Sequence, residues 1–468
     1  MTSDYQSVHE DIFHGVTRSV CPVCRRVVDA QVRLRDGTVI LRKRCPEHGW
    51  HEALVSSDAG WHLSSQVYNK PGAIPYDFAT SVDKGCPHDC GLCPEHKQHT
   101  CVAVIEVTSR CNLRCPTCFA DSGQGADLSV AQVEFMLDRL LETEGRPEVI
   151  QISGGEPTLH PDLLSILGAA RARDIHYVML NTNGIELAQD RSLVRRLAEF
   201  NPAIYLQFDG VQPETHRTLR GRDLRAVKEQ ALDNLAEAGL YAVLVATISE
   251  GDNLEEIGDI LRYGLEHAAV LGVSYQPVAF AGRCRAGHDP LHVVTLPDVL
   301  QALESQTNGL FRVDDFRPVP CPHPTCSASS YAVVHEGEVT PITRLLDVDD
   351  YLDFVVNRTV PDLSDDLQPV MDTLWSMAAL MGSDGTTGSL TCAACDLALP
   401  LETVNQLGKE SFFLVHVHGF MDSHTFDLKR LMKCCIHELL SDGRAVPFCA
   451  YNVLGYREEI REEAEMRR

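Results

Sequence analysis

The 468-residue chain contains no run of about twenty apolar residues and no apolar stretch at its amino terminus. The first absence excludes a membrane-spanning helix and the second a secretory leader, so the expected place is the cytoplasm, with at most peripheral membrane contact. Positive charge is also scarce: 41 Lys and Arg stand against 66 Asp and Glu, a net charge of −25. A phosphate backbone needs a basic face, which removes nucleic acid from the expected partners. The same balance disfavours tight binding to anionic lipid. Repeats beyond a strand–helix alternation and low-complexity tracts are missing too. Cysteine, in contrast, is plentiful, at 18 residues. In a reducing compartment clustered thiols favour metals over disulfides.

Cys111, Cys115 and Cys118, in the run Ser109-Arg110-Cys111-Asn112-Leu113-Arg114-Cys115-Pro116-Thr117-Cys118-Phe119, place three thiols on one loop. A four-iron cluster held there keeps one iron without a protein ligand, open to a substrate or cofactor. A structural zinc knuckle is the alternative for paired cysteines. The surrounding sequence argues against zinc. Strand patterns at 102–107, 148–152, 176–180, 203–208, 241–248 and 273–276 alternate with helical patterns at 129–142, 161–173, 191–200, 223–238 and 254–267. Ser129 and Gln132 are spaced as a capping box opening the first helix. Such alternation predicts a parallel sheet with right-handed crossovers, an incomplete six-unit barrel of the TIM type. The chemistry of such barrels sits on the loops after the strands, and the polar motifs fall there. They are Gly154-Gly155-Glu156-Pro157, Asn181 and Asn183, Asp209, and, more weakly, Thr247 and Gln276.

With these strand ends around it, the Cys111 loop resembles that of the radical S-adenosylmethionine (SAM) enzymes. The resemblance implies a [4Fe-4S] cluster on Cys111, Cys115 and Cys118, with SAM chelating the open iron. It places the methionine amino group of SAM near Gly154, Gly155, Glu156 and Pro157, and its ribose and carboxylate near Asn181, Asn183, Asp209 and Thr247. It further implies an external low-potential electron donor and a 5′-deoxyadenosyl radical that abstracts hydrogen from an unactivated carbon.

Other cysteines point to more metal. Cys21, Cys24 and Cys45 are spaced as rubredoxin-like or zinc-ribbon knuckles for a mononuclear iron or zinc, with the fourth ligand open between His48 and a cysteine from elsewhere, such as Cys392 or Cys395. Cys86, Cys90 and Cys93 read as ligands of an auxiliary cluster, with Cys101 the expected fourth. Cys321, Cys326, Cys434, Cys435 and Cys449 supply a second auxiliary set whose four members the spacing does not fix. Adjacent side chains diverge, so Cys434 and Cys435 can serve two sites.

The block 86–122, the run Cys321-Pro322-His323-Pro324-Thr325-Cys326 and the tail from Phe420 through Cys434-Cys435-Ile436-His437 to Pro447-Phe448-Cys449 resemble the tetraether lipid synthase family over nearly the whole chain. That family implies a SAM cluster, auxiliary clusters and a rubredoxin-like iron, and it joins terminal methyl carbons of lipid chains; some relatives are described as pterin methylases. Carbon–carbon coupling of membrane-lipid alkyl chains is therefore the leading expectation. A radical SAM methylase of a pterin or another small molecule is the second, and a multi-cluster electron-transfer protein a third from another class. An apolar stripe at 367–381 reads as core or as an alkyl channel, and His416 and His418 share one face of a strand. The expected organisation is a cysteine-knuckle domain at 1–80, a cluster segment at 81–100, the partial barrel at 101–290 and a carboxyl-terminal cluster domain at 291–468.

Overall fold

The computed structural model describes residues 11–352 apart from 124–125, 174, 176, 285–287, 346 and 351, and beyond them Asn357, 389–391, 398–400 and 411–466. The apolar stripe at 367–381 and the Cys392, Cys395 knuckle lie outside the described residues.

Four antiparallel strands open the chain: β1 (Asp11–Val20), β2 (Val27–Arg35), β3 (Thr38–Cys45) and β4 (Gly49–Ser56), paired in chain order. Asp36 and Gly37 join β2 to β3 with φ of 48° and 78°. Two central residues at positive φ suit the right-handed twist of a two-residue hairpin, and Asp-Gly is a sequence that adopts them readily.

The larger sheet is built on β5 (Val102–Thr108), β6 (Val149–Gly154), β7 (Tyr177–Thr182), β8 (Ala203–Gln207), β9 (Ala242–Ile248) and β10 (Val270–Pro277), all parallel and each beside the next. These are the strands expected from the sequence, with β10 starting earlier than its apolar pattern suggested. Helix α1 (Ala59–Ser64) precedes them; α2 (Val130–Glu144), α3 (Leu163–Arg171), α4 (Ile185–Gln189), α5 (Arg191–Ala198), α6 (Pro213–Arg220), α7 (Arg225–Glu237) and α8 (Ile257–Glu266) connect them. The capping box forms: Ser129 Oγ accepts from Gln132 N, and Gln132 returns a bond to Ser129 N. The fold is thus a parallel α/β partial barrel of the radical SAM type.

After α9 (Leu296–Gln306), the remaining strands are β11 (Arg317–Pro318), β12 (Ser327–His335), β13 (Glu338–Pro341), β14 (Ser389–Thr391), β15 (Ala398–Pro400), β16 (Phe412–His418), β17 (Ile436–Leu439) and β18 (Ala445–Pro447). Most of them join the larger sheet. β16 adds in parallel to the outer side of β10, and β17 adds in parallel to the outer side of β5, so the carboxyl-terminal third covers both edges of the six-stranded unit. An uncovered edge exposes unpaired N–H and C=O groups, and this arrangement removes two of them.

Alternate residues divide the sheet into two faces. Ile105, Ile152, Leu180, Leu206, Leu244, Val273 and Val415 belong to the core shared with the helices. The opposite face, toward the barrel interior, is mixed: Val104, Met179, Val243, Val245 and Leu414 share it with Glu106, Gln151, Asn181, Tyr205, Gln207, Ser274, Gln276 and His416. No helix among the described residues is long and apolar enough to cross a membrane.

The last helices, Phe448–Val453 and Tyr456–Met466, reach back to this interior. Arg457 pairs with Glu106 of β5, and its Nη1 donates to the Phe119 carbonyl on the Cys111 loop, at 3.2 Å. Its side chain is buried, and Glu106 offsets the burial that would otherwise disfavour its charge. Arg457→Met should therefore cost about 3 kcal/mol by leaving Glu106 short of its counter-charge. Denaturant titration of the holoenzyme, with limited proteolysis of the carboxyl-terminal helix, checks this; an unchanged midpoint would contradict it.

Candidate functional site

The Cys111 loop follows β5 and folds back on itself through Cys111 N to Gly123 O (3.2 Å) and Gly123 N to Ser109 O (3.0 Å). Arg110 braces it by pairing with Asp127 at 2.7 Å. Cys111, Cys115 and Cys118 gather in one apolar pocket with Leu113, Ile185 and Leu224. Backbone N–H groups already point at two of the sulfurs: Leu113 N lies 3.4 Å from Cys111 Sγ and Ser122 N 3.5 Å from Cys118 Sγ. Burial pushes the Cys111 thiol up to about 11, so a metal that stabilises thiolate would be favoured by what the apolar pocket otherwise penalises.

The glycine pair has a tighter purpose than the sequence suggested. A Cβ on Gly154 would lie 2.3 Å from the Thr108 carbonyl oxygen, and one on Gly155 2.1 Å from that of Arg110. The space opened by the missing side chains is thus taken by the backbone of the Cys111 loop, which accepts from Gly155 N at 2.7 Å and Glu156 N at 2.8 Å. Glu156 is fully buried and spans two strand ends. Its carboxylate accepts from Thr158 N and Oγ1, from Thr182 Oγ1 at 2.8 Å and from Asn183 N at 2.7 Å. Burial raises its pKa, and these bonds oppose the rise. Pro157 opens the short turn that follows.

Asn183 Nδ2 donates to Asn112 on the Cys111 loop at 2.7 Å, closing a ring of contacts from β6 through β7 back to that loop. Asn181 lies deeper, held by Gln151 and Ser153. Asp209 is buried and grips Arg220 at 2.6 Å through both oxygens; burial raises its pKa but Arg220 lowers it further. Arg220 also donates to Thr247 Oγ1 at 2.9 Å and interacts with the Cys115 thiol. Gln276 is more remote, 3.5 Å from Tyr205 Oη.

Two cations here were missed by sequence reasoning. Arg220 carried no signal beyond its place after β8. Lys228 did carry one, since it occupies the stripe of α7 shared with Ala231, Leu232 and Leu235, where an apolar residue belongs. Its Nζ donates to Asn183 O at 2.5 Å and Gln207 Oε1 at 2.9 Å, and burial brings it down to about 7.

Elsewhere, Cys21, Cys24, Cys45 and His48 hold their ligand atoms within 4.8 Å of one another. Four such donors at that spacing suit one tetrahedral ion, and His48 stands at the position left open for the fourth donor. Cys86, Cys90 and Cys93 line one small cavity, and desolvation, followed by the neighbouring thiols, raises Cys86 and Cys90. Cys101 does not join them. It lies with Cys321 and Cys435, all three sulfurs within 4.8 Å, and the Cys101 and Cys321 sulfurs are bonded as a disulfide. The reason is topological: Cys101 begins at the foot of β5, where its N–H bonds the Cys435 carbonyl just before β17 at 3.0 Å. Cys326 Sγ lies 3.5 Å from Arg430 Nη2, and Cys449 Sγ accepts from Met421 N at 3.4 Å. Burial raises the Cys434 thiol, with Cys449, Cys435 and Cys326 adding to the rise, so Cys434 stands between these sulfurs and the group that holds Cys435. Cys24→Ser should remove close to one equivalent of metal from the amino-terminal group, read by elemental analysis for zinc and iron; retention of that metal would contradict a site completed by His48.

Known proteins place this geometry in context. A model described as the radical SAM superfamily matches residues 105–264, and one described as the HMPTM N-terminal zinc ribbon domain matches residues 13–57. Over 484 aligned residues the chain is 34% identical to the 7,8-dihydro-6-hydroxymethylpterin dimethyltransferase of Methanocaldococcus jannaschii, covering 96% of this chain and 95% of that protein. It is 29% identical over 211 residues to the GTP 3′,8-cyclase of Streptomyces coelicolor, covering 43% of this chain and 60% of that one. Among solved structures, Streptococcus suis SuiB bound to its precursor peptide SuiA is similar with a TM-score of 0.38 and 20% identity over 46% of each chain. The chain belongs to the radical SAM superfamily, in the family of the Methanocaldococcus jannaschii protein, and is accordingly an enzyme whose cofactors are a [4Fe-4S] cluster and SAM.

Proposed function

We propose that the chain is a radical SAM methylase of a reduced pterin or a closely similar small heterocycle. The observation that carries this reading is the near full-length similarity to a protein named for dimethylating 7,8-dihydro-6-hydroxymethylpterin. The polar groups of the barrel interior add support, because Glu106, Gln151, Asn181, Tyr205 and Gln276 offer hydrogen bonds that a ring of N–H and C=O groups can use and an alkyl chain cannot. Coupling of lipid chains, the leading expectation from the sequence, finds no comparable support, and the electron-carrier alternative gives way to an enzyme.

In this reading Cys111, Cys115 and Cys118 hold the SAM cluster. The donor set fits: three thiols, one loop, an apolar pocket, and N–H groups already directed at two sulfurs. Gly154, Gly155, Glu156 and Pro157 fix that loop and border the amino group of SAM, with Asn181, Asn183, Asp209 and Thr247 lining the rest of its length. Arg220, already paired with Asp209, holds that carboxylate in place beside Cys115. Bound here, the cluster and SAM supply a 5′-deoxyadenosyl radical when an external low-potential donor provides an electron. The protein's part is to orient the two partners and keep water from them. Cys86, Cys90 and Cys93 and the Cys326, Cys434, Cys449 group hold auxiliary metal, whereas the Cys101, Cys321, Cys435 group can do so only once the Cys101–Cys321 disulfide is reduced. Cys21, Cys24, Cys45 and His48 hold a single ion, zinc by the chemistry of the set.

The test is anaerobic reconstitution followed by excess SAM, a strong reductant and 7,8-dihydro-6-hydroxymethylpterin, with and without a one-carbon folate, so that the transferred carbon comes from a second SAM or from the folate. The wild-type protein should form 5′-deoxyadenosine and a methylated pterin, both followed by mass spectrometry. Cys115→Ala should abolish both, and Cys90→Ala should retain SAM cleavage while losing the methylated product. An unmodified pterin, together with altered membrane lipids in cells lacking the protein, would overturn the methylase reading in favour of lipid coupling.

A further inference from the structure

Arg430 is a buried cation for which the fold supplies no carboxylate contact. It sits in the short helix Leu428–Leu431, on the segment that leads from β16 to β17, with only 8 % of its surface exposed. Its Nη2 donates to the Gly419 carbonyl at 3.1 Å and lies 3.5 Å from Cys326 Sγ, while its Nε has no partner. Among the described residues no carboxylate forms an ion pair with it. Asp427, the acid that acts on it from a distance, is engaged by Thr17 Oγ1 and by the backbone N–H of Lys429.

A guanidinium removed from water without a counter-charge is expensive, by several kcal/mol. The groups that do act on Arg430 are sulfurs, Cys326 first and then Cys449. The neighbouring imidazoles of His62 and His323 are held neutral by burial and by Arg430 itself, so they add no compensating charge. Lys433, the other cation near these thiols, is committed elsewhere, to Asn69 Oδ1 at 2.7 Å and to the Lys70 carbonyl. Although Asp422 lines the same cavity, the candidate anion in direct reach of the guanidinium is the Cys326 sulfur, at 3.5 Å.

We infer that Arg430 is the counter-charge and hydrogen-bond donor of an iron–sulfur centre carried by Cys326, Cys434 and Cys449, and that it sets the reduction potential of that centre. This rests on the auxiliary-metal assignment made above for those three cysteines. A fixed positive charge and an N–H directed at a ligating sulfur both stabilise the more negative, reduced form, so both raise the potential. Arg430 also lines a cavity with Phe280, His288, Phe420, Asp422 and His424, so the centre it tunes lies beside the mouth of the barrel rather than in the outer shell of the protein.

The experiment is a redox titration of the reconstituted full-length protein followed by electron paramagnetic resonance. The signal present in wild type and absent from Cys326→Ala identifies the centre. Arg430→Gln should move its midpoint to lower potential and leave the signal that responds to SAM unmoved. Arg430→Lys keeps the charge and loses the fork, so it should move the midpoint less in the same direction; it carries the test alone if the glutamine variant does not fold. A midpoint equal to that of wild type in the folded variants would overturn the role of Arg430. If instead Cys326→Ala loses no iron, the auxiliary-metal assignment itself fails, and the inference falls with it for that separate reason.

Discussion

The organisation of the site depends on how closely two backbones approach at the ends of β5 and β6. Gly154 and Gly155 stand where any side chain would collide with the carbonyls of Thr108 and Arg110. That contact seats the Cys111 loop over the sheet and turns the N–H groups of Gly155 and Glu156 into its anchors. Glu156 can then reach Thr182 and Asn183 at the end of β7, and Asn183 can return to Asn112. Cluster loop, glycine turn and third strand end are thereby one hydrogen-bonded unit. A radical generated within such a unit needs little reorganisation to meet a substrate held in the adjacent interior.

Charge compensation is the second theme. The chain is strongly acidic overall, yet several of its buried cations stand next to thiols or acids. Arg220 links Asp209 to Cys115, Arg430 faces Cys326, and Arg457 joins Glu106 to the carbonyl after Cys118. Thiolates and anionic clusters in an apolar pocket require such neighbours, because desolvation alone pushes thiols such as Cys434 and Cys449 toward the neutral form. The carboxyl-terminal third supplies two of these cations as well as the strands that cover both sheet edges. It therefore contributes to the barrel and to the metal sites together.

Local signals made much of this legible from sequence. The six parallel strands showed as apolar runs followed by polar motifs, the α2 capping box as Ser129 and Gln132, and the cluster loop as cysteine spacing. What escaped was set by long-range pairing. β17 is short, and neither it nor β16 carries a pattern that says which edge it will join, so the placement of Cys435 beside Cys101 could not be read from spacing. Cys101 was accordingly grouped with the cysteines nearest in sequence rather than those nearest in space. The glycine pair was expected beside SAM, while its actual neighbour, the cluster loop itself, appears only in three dimensions. Lys228 was visible in principle as a lysine on an apolar helical stripe.

The central claim is that SAM meets a four-iron cluster on Cys111, Cys115 and Cys118. Electron paramagnetic resonance of the anaerobically reduced protein, recorded with and without SAM, tests it most directly. One cluster signal should change on addition of SAM, and that signal should be missing from Cys115→Ala while the auxiliary signals persist. Spectra that ignore SAM in a fully reconstituted protein, or a SAM-sensitive signal that survives in Cys115→Ala, would contradict the account.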